Sequence, residues 1–251
     1  MKFIEKYPST WEELQDLVAQ LLNQAGYHAV SPCTIDTVRG TVEVDVFVES
    51  PDVFIKTIIC ECKFWKTPVT KEKVHAFRTV VHDSGAALGL LISKVGFQSG
   101  AVEAAKLSNV RLLTWEEFTN VIAEQWIITQ LRFLKKYSEP ISVYTSQLGF
   151  PSEKLREQDR KPYFEACAKY APVRDTCWRI TKKDLLSDEP PTIQWYEFEK
   201  FRSIETYLCH LKDCVTEGLS VFETIVESSN IEISAGKFER LEGYTYMFLN
   251  E

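Results

Sequence analysis

The chain has 251 residues, of which 45% are hydrophobic and 12% aromatic. It can therefore bury a substantial core, and overall disorder is excluded. A net charge of -7 argues against a protein that coats nucleic acid indiscriminately. No stretch approaches the roughly 20 uninterrupted apolar residues of a membrane span, and Glu5 falls where a signal peptide needs its apolar run. We therefore expect a cytoplasmic protein without membrane association, and the odd number of cysteines, seven, predicts reduced thiols.

The first element is a helix. Ser9 or Thr10 can cap its start, and Glu12 and Glu13 follow where acidic side chains favour the first turn. Leucine and valine then recur at helical spacing over residues 14–22, before Gly26 provides a typical helix end.

Period-two alternation begins at residue 41 and predicts a strand over 41–49, with Asp45 in its middle. A second strand is expected over 54–64, where Glu61 and Lys63 share one face. The patterns that follow predict a helix over 68–81, a buried strand over 86–93, a helix over 99–107, a strand over 110–113 and a helix from 114. This order predicts an α/β fold, in which a mixed sheet is flanked by helices.

The second half of the chain has weaker patterns. Residues 138–140, 149–151 and 190–191 are expected to be loops, helices are expected around 152–170 and 194–228, and a strand is expected over 241–249. We predict two domains, 1–125 and 126–251, of which the second is smaller, mostly helical and α+β. Its function is unknown, and DNA or a partner protein could bind there.

Asp45 and the pair Glu61 and Lys63 form the combination that points to chemistry. Phosphodiester hydrolysis needs a divalent metal on hard oxygen ligands and positive charge near the phosphorus oxygens. Two carboxylates and a lysine on neighbouring strands meet these needs. The alternative is that the carboxylates lie on a solvated face, where Lys63 merely pairs with one of them. Cys60 and Cys62 are expected to pack in the core, and the four histidines are too scattered for a histidine-metal nuclease.

The order of these patterns resembles the Mrr-like branch of the PD-(D/E)xK nuclease superfamily over residues 11–118. The family's typical features have counterparts in order along the chain: the first helix ending in Gly26-Tyr27, Val44-Asp45-Val46, Cys60-Glu61-Cys62-Lys63, the apolar strand 88–93, Gly96-Phe97, and the alanine-rich stretch 101–105. The resemblance implies a restriction-endonuclease-like core. It also implies a metal-dependent endonuclease that hydrolyses DNA, in defence against foreign DNA.

By the same resemblance, Asp45, Glu61 and the backbone carbonyl of Cys62 would hold Mg²⁺ or Mn²⁺, and Lys63 would orient the attacking water. Such families often have a glutamate on the first helix where this chain has Gln15, with Glu12 one turn earlier on the same face. Gln15 is therefore a further candidate catalytic residue. One active site per chain predicts that double-strand cleavage takes a homodimer or two successive nicks.

Charge distribution leaves two interpretations of the whole protein open. Residues 154–183 hold nine basic residues against four acidic ones, with Tyr163, Phe164, Tyr170 and Trp178 interleaved, whereas residues 184–251 hold five against fourteen. In the first interpretation the basic stretch grips DNA for an active nuclease, although it could equally be an exposed helix face with aromatic residues in the core. In the second, a nuclease fold is kept for binding and the acidic segment docks a protein partner.

Overall fold

In the computed structural model, which describes residues 1–146, 150–187 and 193–232, the chain divides into two units. Of the described residues, one unit contains Lys6–Trp126, and the other combines Met1–Glu5 with those from Ile127 to residue 232. Among the described residues, no helix is both long enough and apolar enough to cross a membrane.

The first unit is built on a five-stranded mixed sheet, as the α/β pattern predicts. Its strands, in spatial order, are His28–Val30 (β1), Val46–Glu49 (β4), Thr57–Lys63 (β5), Leu88–Ser93 (β6) and Val110–Thr114 (β7). The pairs β1–β4 and β4–β5 are antiparallel, whereas β5–β6 and β6–β7 are parallel.

Helices flank this sheet. The first helix, α1 (Trp11–Gln24), packs against β1, β4 and β5. Its N-cap is Thr10, whose side chain accepts a hydrogen bond from the Glu13 amide. The helices α2 (Lys71–Asp83) and α3 (Ser99–Ala105) cover a core cluster that includes Ile59 and Leu91. The fourth helix, α4 (Trp115–Tyr137), contributes residues to both units.

The strand β6 runs unusually close beneath α2. A Cβ atom at Gly89 would lie 2.6 Å from Val81 Cγ2 and 2.9 Å from Phe77 Cε1, closer than carbon atoms can approach. Glycine at this position therefore lets the helix and the strand come into contact.

The single strand expected over 41–49 is wrong in one respect, because the chain bends at Asp45. Residues before the bend form β3 (Gly40–Val44), which pairs with β2 (Cys33–Thr37) in a separate two-stranded sheet, and residues after it form β4. Val44 packs in the cluster under α2 and α3, whereas Val46 pairs with Cys60. Since valine flanks the bend on both sides, the apolar alternation continues although the strand changes its partner.

Three other boundaries differ from expectation. The strand expected over 54–64 begins only at Thr57, and Phe54 lies in the preceding loop with 90% of its side chain exposed. The helix expected from 68 begins at Lys71, because Val69 pairs with the backbone of Gly96 instead. Residues 138–140 start a helix rather than a loop, since proline in a first turn sacrifices no hydrogen bond.

The second unit is helical in its described residues. It contains α5 (Glu139–Thr145), α6 (Glu157–Arg179), α7 (Lys182–Leu186) and α8 (Ile204–Ser229), and α6 packs against both α5 and α8. Tyr163 and Tyr170 are buried there, and Tyr163 stacks on Phe150 with 4.7 Å between the ring centroids. The strand expected over 241–249 lies outside the described residues.

Candidate active site

Asp45 occupies the point where the β4–β5 ladder ends. Val46 pairs with Cys60 and Phe47 with Ile59, so a continued ladder would bring Val44 opposite Cys62. The chain has bent away by then, and the Cys62 amide loses its backbone acceptor. Asp45 Oδ2 accepts that N–H at 2.6 Å. The carboxylate thus replaces a peptide carbonyl at the end of the sheet.

The other backbone group of Cys62 also bonds to a side chain. Trp11, the first residue of α1, donates its indole N–H to the Cys62 carbonyl oxygen at 3.2 Å. The Cys62 side chain itself is fully buried, and burial raises the pKa of its thiol well above the usual range. If Cys62 takes part in a site, it can therefore do so through its backbone and not through its sulfur.

Gln15 connects α1 to the same carboxylate. Its side chain is buried, and its amide Nε2 donates to Asp45 Oδ1 at 2.6 Å. Glu12, the alternative for the first-helix position, is exposed to solvent. Both oxygens of Asp45 therefore accept hydrogen bonds from neutral donors, one from α1 and one from β5.

Glu61 and Lys63 lie on one face of β5, and the Lys63 ammonium donates to Glu61 Oε1 in an ion pair. Only 26% of the Glu61 side chain and 17% of the Lys63 side chain are exposed, so the pair does not lie on a freely solvated face. Burial raises the pKa of Glu61, the charge of Asp45 raises it further, and Lys63 and Lys73 oppose this. The environment therefore favours additional positive charge beside the two carboxylates.

A family model described as a restriction endonuclease, of the Mrr catalytic type, matches residues 8–122, which include all the residues of this site. Residues 8–122 are therefore similar to an Mrr-type restriction endonuclease domain, and we call this part of the chain the Mrr-type domain. No curated protein matches the chain. Among solved structures, the crystal structure of a protein of unknown function shares 14% identity, covers 86% of this chain and 100% of its own, and has a TM-score of 0.40. A similarity of that size carries no functional argument.

The donor atoms in the Mrr-type domain suit a hard divalent cation. Asp45, Glu61 and the Cys62 carbonyl offer oxygen atoms only, the ligands that Mg²⁺ and Mn²⁺ prefer. Each bonded oxygen keeps a second lone pair, so the hydrogen bonds from Trp11 and Gln15 do not block coordination. The residues present therefore fit the group that the family resemblance implies.

The sequence does not point to Trp11 as a neighbour of the site, because no local pattern relates residue 11 to a strand end 51 residues later. An exposed aromatic residue in the first turn of an otherwise regular amphipathic helix is the one signal that could have singled it out.

Proposed function

We propose that the Mrr-type domain is a Mg²⁺- or Mn²⁺-dependent endonuclease that hydrolyses the phosphodiester bonds of DNA. Restriction endonuclease-like domains generally use divalent metals, and the nuclease family implies DNA as the substrate. The observation that carries the proposal is the convergence of Asp45, the Glu61–Lys63 pair and the Cys62 carbonyl at the end of β5. Such a combination has the hard ligands and the cation that phosphodiester hydrolysis needs.

Each residue then has a distinct role. Asp45, Glu61 and the Cys62 carbonyl would hold the metal ion, which when bound would polarise the phosphate and make a water nucleophilic near neutral pH. Lys63 offsets the negative charge that grows on the phosphorus oxygens, and its partial burial strengthens that effect. Gln15 keeps the Asp45 carboxylate in one orientation through the 2.6 Å hydrogen bond.

The direct test is cleavage of supercoiled plasmid by the Asp45→Asn variant. Asparagine removes the ligand charge, yet its carbonyl oxygen can still accept from the Cys62 amide, so we expect a folded protein without activity. Asp36→Asn is the matched control, since Asp36 is exposed on β2 and should retain full activity. Wild-type cleavage rates for Asp45→Asn in Mg²⁺ and in Mn²⁺ would remove Asp45 from the site.

Metal titration separates an enzyme from a nuclease-like binding module. Calorimetry without DNA should show Mg²⁺ or Mn²⁺ binding to the wild-type chain and a large loss of affinity in Asp45→Asn and Glu61→Gln. A chain that binds DNA but neither binds metal nor cleaves would instead be a binding module.

The family resemblance implies a role in defence, and we propose that the enzyme acts on foreign DNA in the cytoplasm. With one site per chain, a double-strand break takes two chains or two successive nicks, and we propose the homodimer. Linear plasmid that accumulates together with nicked circles would support this arrangement. Nicked circles that accumulate fully before any linear product would indicate independent single chains.

A further inference from the structure

Two indole rings flank the end of β5 and remain partly in solvent. Trp11, bonded to the Cys62 carbonyl, is 44% exposed, and Trp65, two residues beyond Lys63, is 37% exposed. A buried aromatic residue contributes to stability, whereas an exposed ring leaves much of its apolar face in water. Both rings lie beside residues to which we assign the chemistry.

Lysine side chains lie close to the ring of Trp65 and to the neighbouring ring of Phe64. Lys63 Nζ lies 5.5 Å and Lys73 Nζ 5.9 Å from the centroid of the Trp65 ring, and Lys94 Nζ lies 4.0 Å from the centroid of Phe64. These lysines come from β5, from α2 and from the turn after β6. We call this group the aromatic–lysine surface, and it consists of Trp11, Phe64, Trp65, Lys63, Lys73 and Lys94.

The outer lysines of this surface keep their charge available. Among the described residues, neither Lys73 nor Lys94 has an acidic side chain within ion-pair distance. In the basic stretch 154–183, by comparison, at least five of the nine basic residues form ion pairs with acidic ones. Two of its aromatic residues, Tyr163 and Tyr170, are buried. Phe164 and Trp178 of that stretch are exposed as well, but only in the aromatic–lysine surface do exposed rings lie beside the residues to which we assign the chemistry.

We propose that the aromatic–lysine surface binds unpaired DNA next to the scissile phosphate, so that single-stranded DNA is the preferred substrate. The inference rests on the proposed function for the choice of DNA. In a duplex the bases stack on one another and offer only phosphates and groove edges to side chains. Unpaired bases offer a free face to an aromatic ring, and lysines between the rings neutralise the backbone that connects them.

The test compares binding of one labelled oligonucleotide as a single strand and as the duplex with its complement. Fluorescence anisotropy is measured in EDTA in the Asp45→Asn background, where no cleavage can occur. We expect the single strand to bind more tightly than the duplex. Trp65→Ala should weaken single-strand binding about tenfold, the typical effect of one lost stacking contact, and leave duplex binding nearly unchanged. Trp65→Phe should restore most of the loss.

Two variants serve as controls. Phe54→Ala removes a ring that is 90% exposed in the loop before β5 and outside the aromatic–lysine surface, and it should change neither affinity. Lys73→Ala should weaken both forms and reduce the salt dependence of binding.

The proposal would be overturned if the Asp45→Asn protein bound the duplex more tightly than the single strand. It would also be overturned if Trp65→Ala reduced the affinity for the single strand and for the duplex by the same factor. These affinities do not depend on cleavage. If the wild-type chain failed to cut any DNA in Mg²⁺ or Mn²⁺, the proposed function would fail while the strand preference could still be measured.

Discussion

The side-chain amide of Gln15 lies 2.6 Å from the carboxylate of Asp45, with Nε2 donating to Oδ1. A neutral donor therefore occupies the position from which a glutamate would face Asp45 directly. Two partly buried carboxylates at that distance repel each other, and a proton or a bound cation between them relieves the repulsion. The identity of residue 15 should consequently determine how strongly folding and metal binding are coupled.

Gln15→Glu should make stability depend on the metal. Without a divalent ion, repulsion at Asp45 should destabilise the fold by on the order of 1–3 kcal/mol, whereas Mg²⁺ should recover this loss by using the new ligand. Thermal melting in EDTA and in Mg²⁺ measures both effects. Gln15→Met, which removes the donor but adds no charge, should be destabilised to the same extent in the two buffers. A Mg²⁺-induced rise in Tm no larger for Gln15→Glu than for the wild type would contradict this account.

Lys63→Ala should slow cleavage roughly 100-fold or more, because the ammonium acts mainly on charge that exists in the transition state. DNA affinity should fall much less. Single-turnover rates and equilibrium binding, measured on the same oligonucleotide, separate the two quantities. Lys66→Ala is a control on an exposed lysine that forms no described ion pair, and it should keep its cleavage rate. Equal losses in rate and affinity would make Lys63 a phosphate contact only.

Gly89→Ala should destabilise the Mrr-type domain by about 1–3 kcal/mol, because the new methyl group would overlap Val81 and Phe77. Urea unfolding should show a lower midpoint. Gly100→Ala in α3 is the matched control, since its Cβ would lie 3.6 Å from Lys71 Cδ, an ordinary contact. Alanine also favours a helix, so this variant should be neutral or slightly stabilised. A midpoint for Gly89→Ala equal to that of the wild type would mean that α2 moves away without cost.

Asp159 should make the helical unit sensitive to acid. Its carboxylate accepts hydrogen bonds from Ser229, from Arg156 and from Ser228, and these partners lower its pKa below the ordinary 3.8. A carboxylate with a lowered folded pKa contributes stability in full above the unfolded value. That contribution is lost as the pH falls through the folded value.

The comparison that checks this is urea unfolding of wild type and Asp159→Asn across the acid range. The variant should be less stable near pH 7, and the difference should shrink below about pH 4 as the wild-type carboxyl becomes protonated. If the difference in the free energy of unfolding stayed constant with pH, Asp159 would stabilise the unit through its shape and hydrogen bonds and not through its charge.

The sequence predicts the elements of the Mrr-type domain well where local periodicity is strong, as in α1, β6 and α3. It also brings Asp45, Glu61 and Lys63 onto neighbouring strands, because the alternation of side chains fixes which residues share a face. It misses the bend at Asp45 and the hairpin of β2 and β3. Valines flank the bend on both sides, and only the pairing partner changes there, which a local pattern does not encode.

Charge counts show the same limit in the second half of the chain. The excess of basic residues over 154–183 suggests a surface for DNA, yet several of them are neutralised. Some partners, such as Glu165 for Lys161, lie one helical turn away and can be read from the sequence. Others cannot, since Lys169 pairs with Glu217 on α8, 48 residues further along the chain.

The hydrogen bond between Asp45 and the Cys62 amide changes how related sequences should be interpreted. A relative that has lost all catalysis still needs an acceptor at this position to end its sheet, so selection for folding alone would retain Asp or Asn there. Folding does not require a carboxylate at position 61 in the same way, because among the described residues the Glu61 carboxylate is bonded to the Lys63 side chain and to no backbone amide. The residue at position 61, more than the one at 45, should therefore distinguish active nucleases from relatives that only bind.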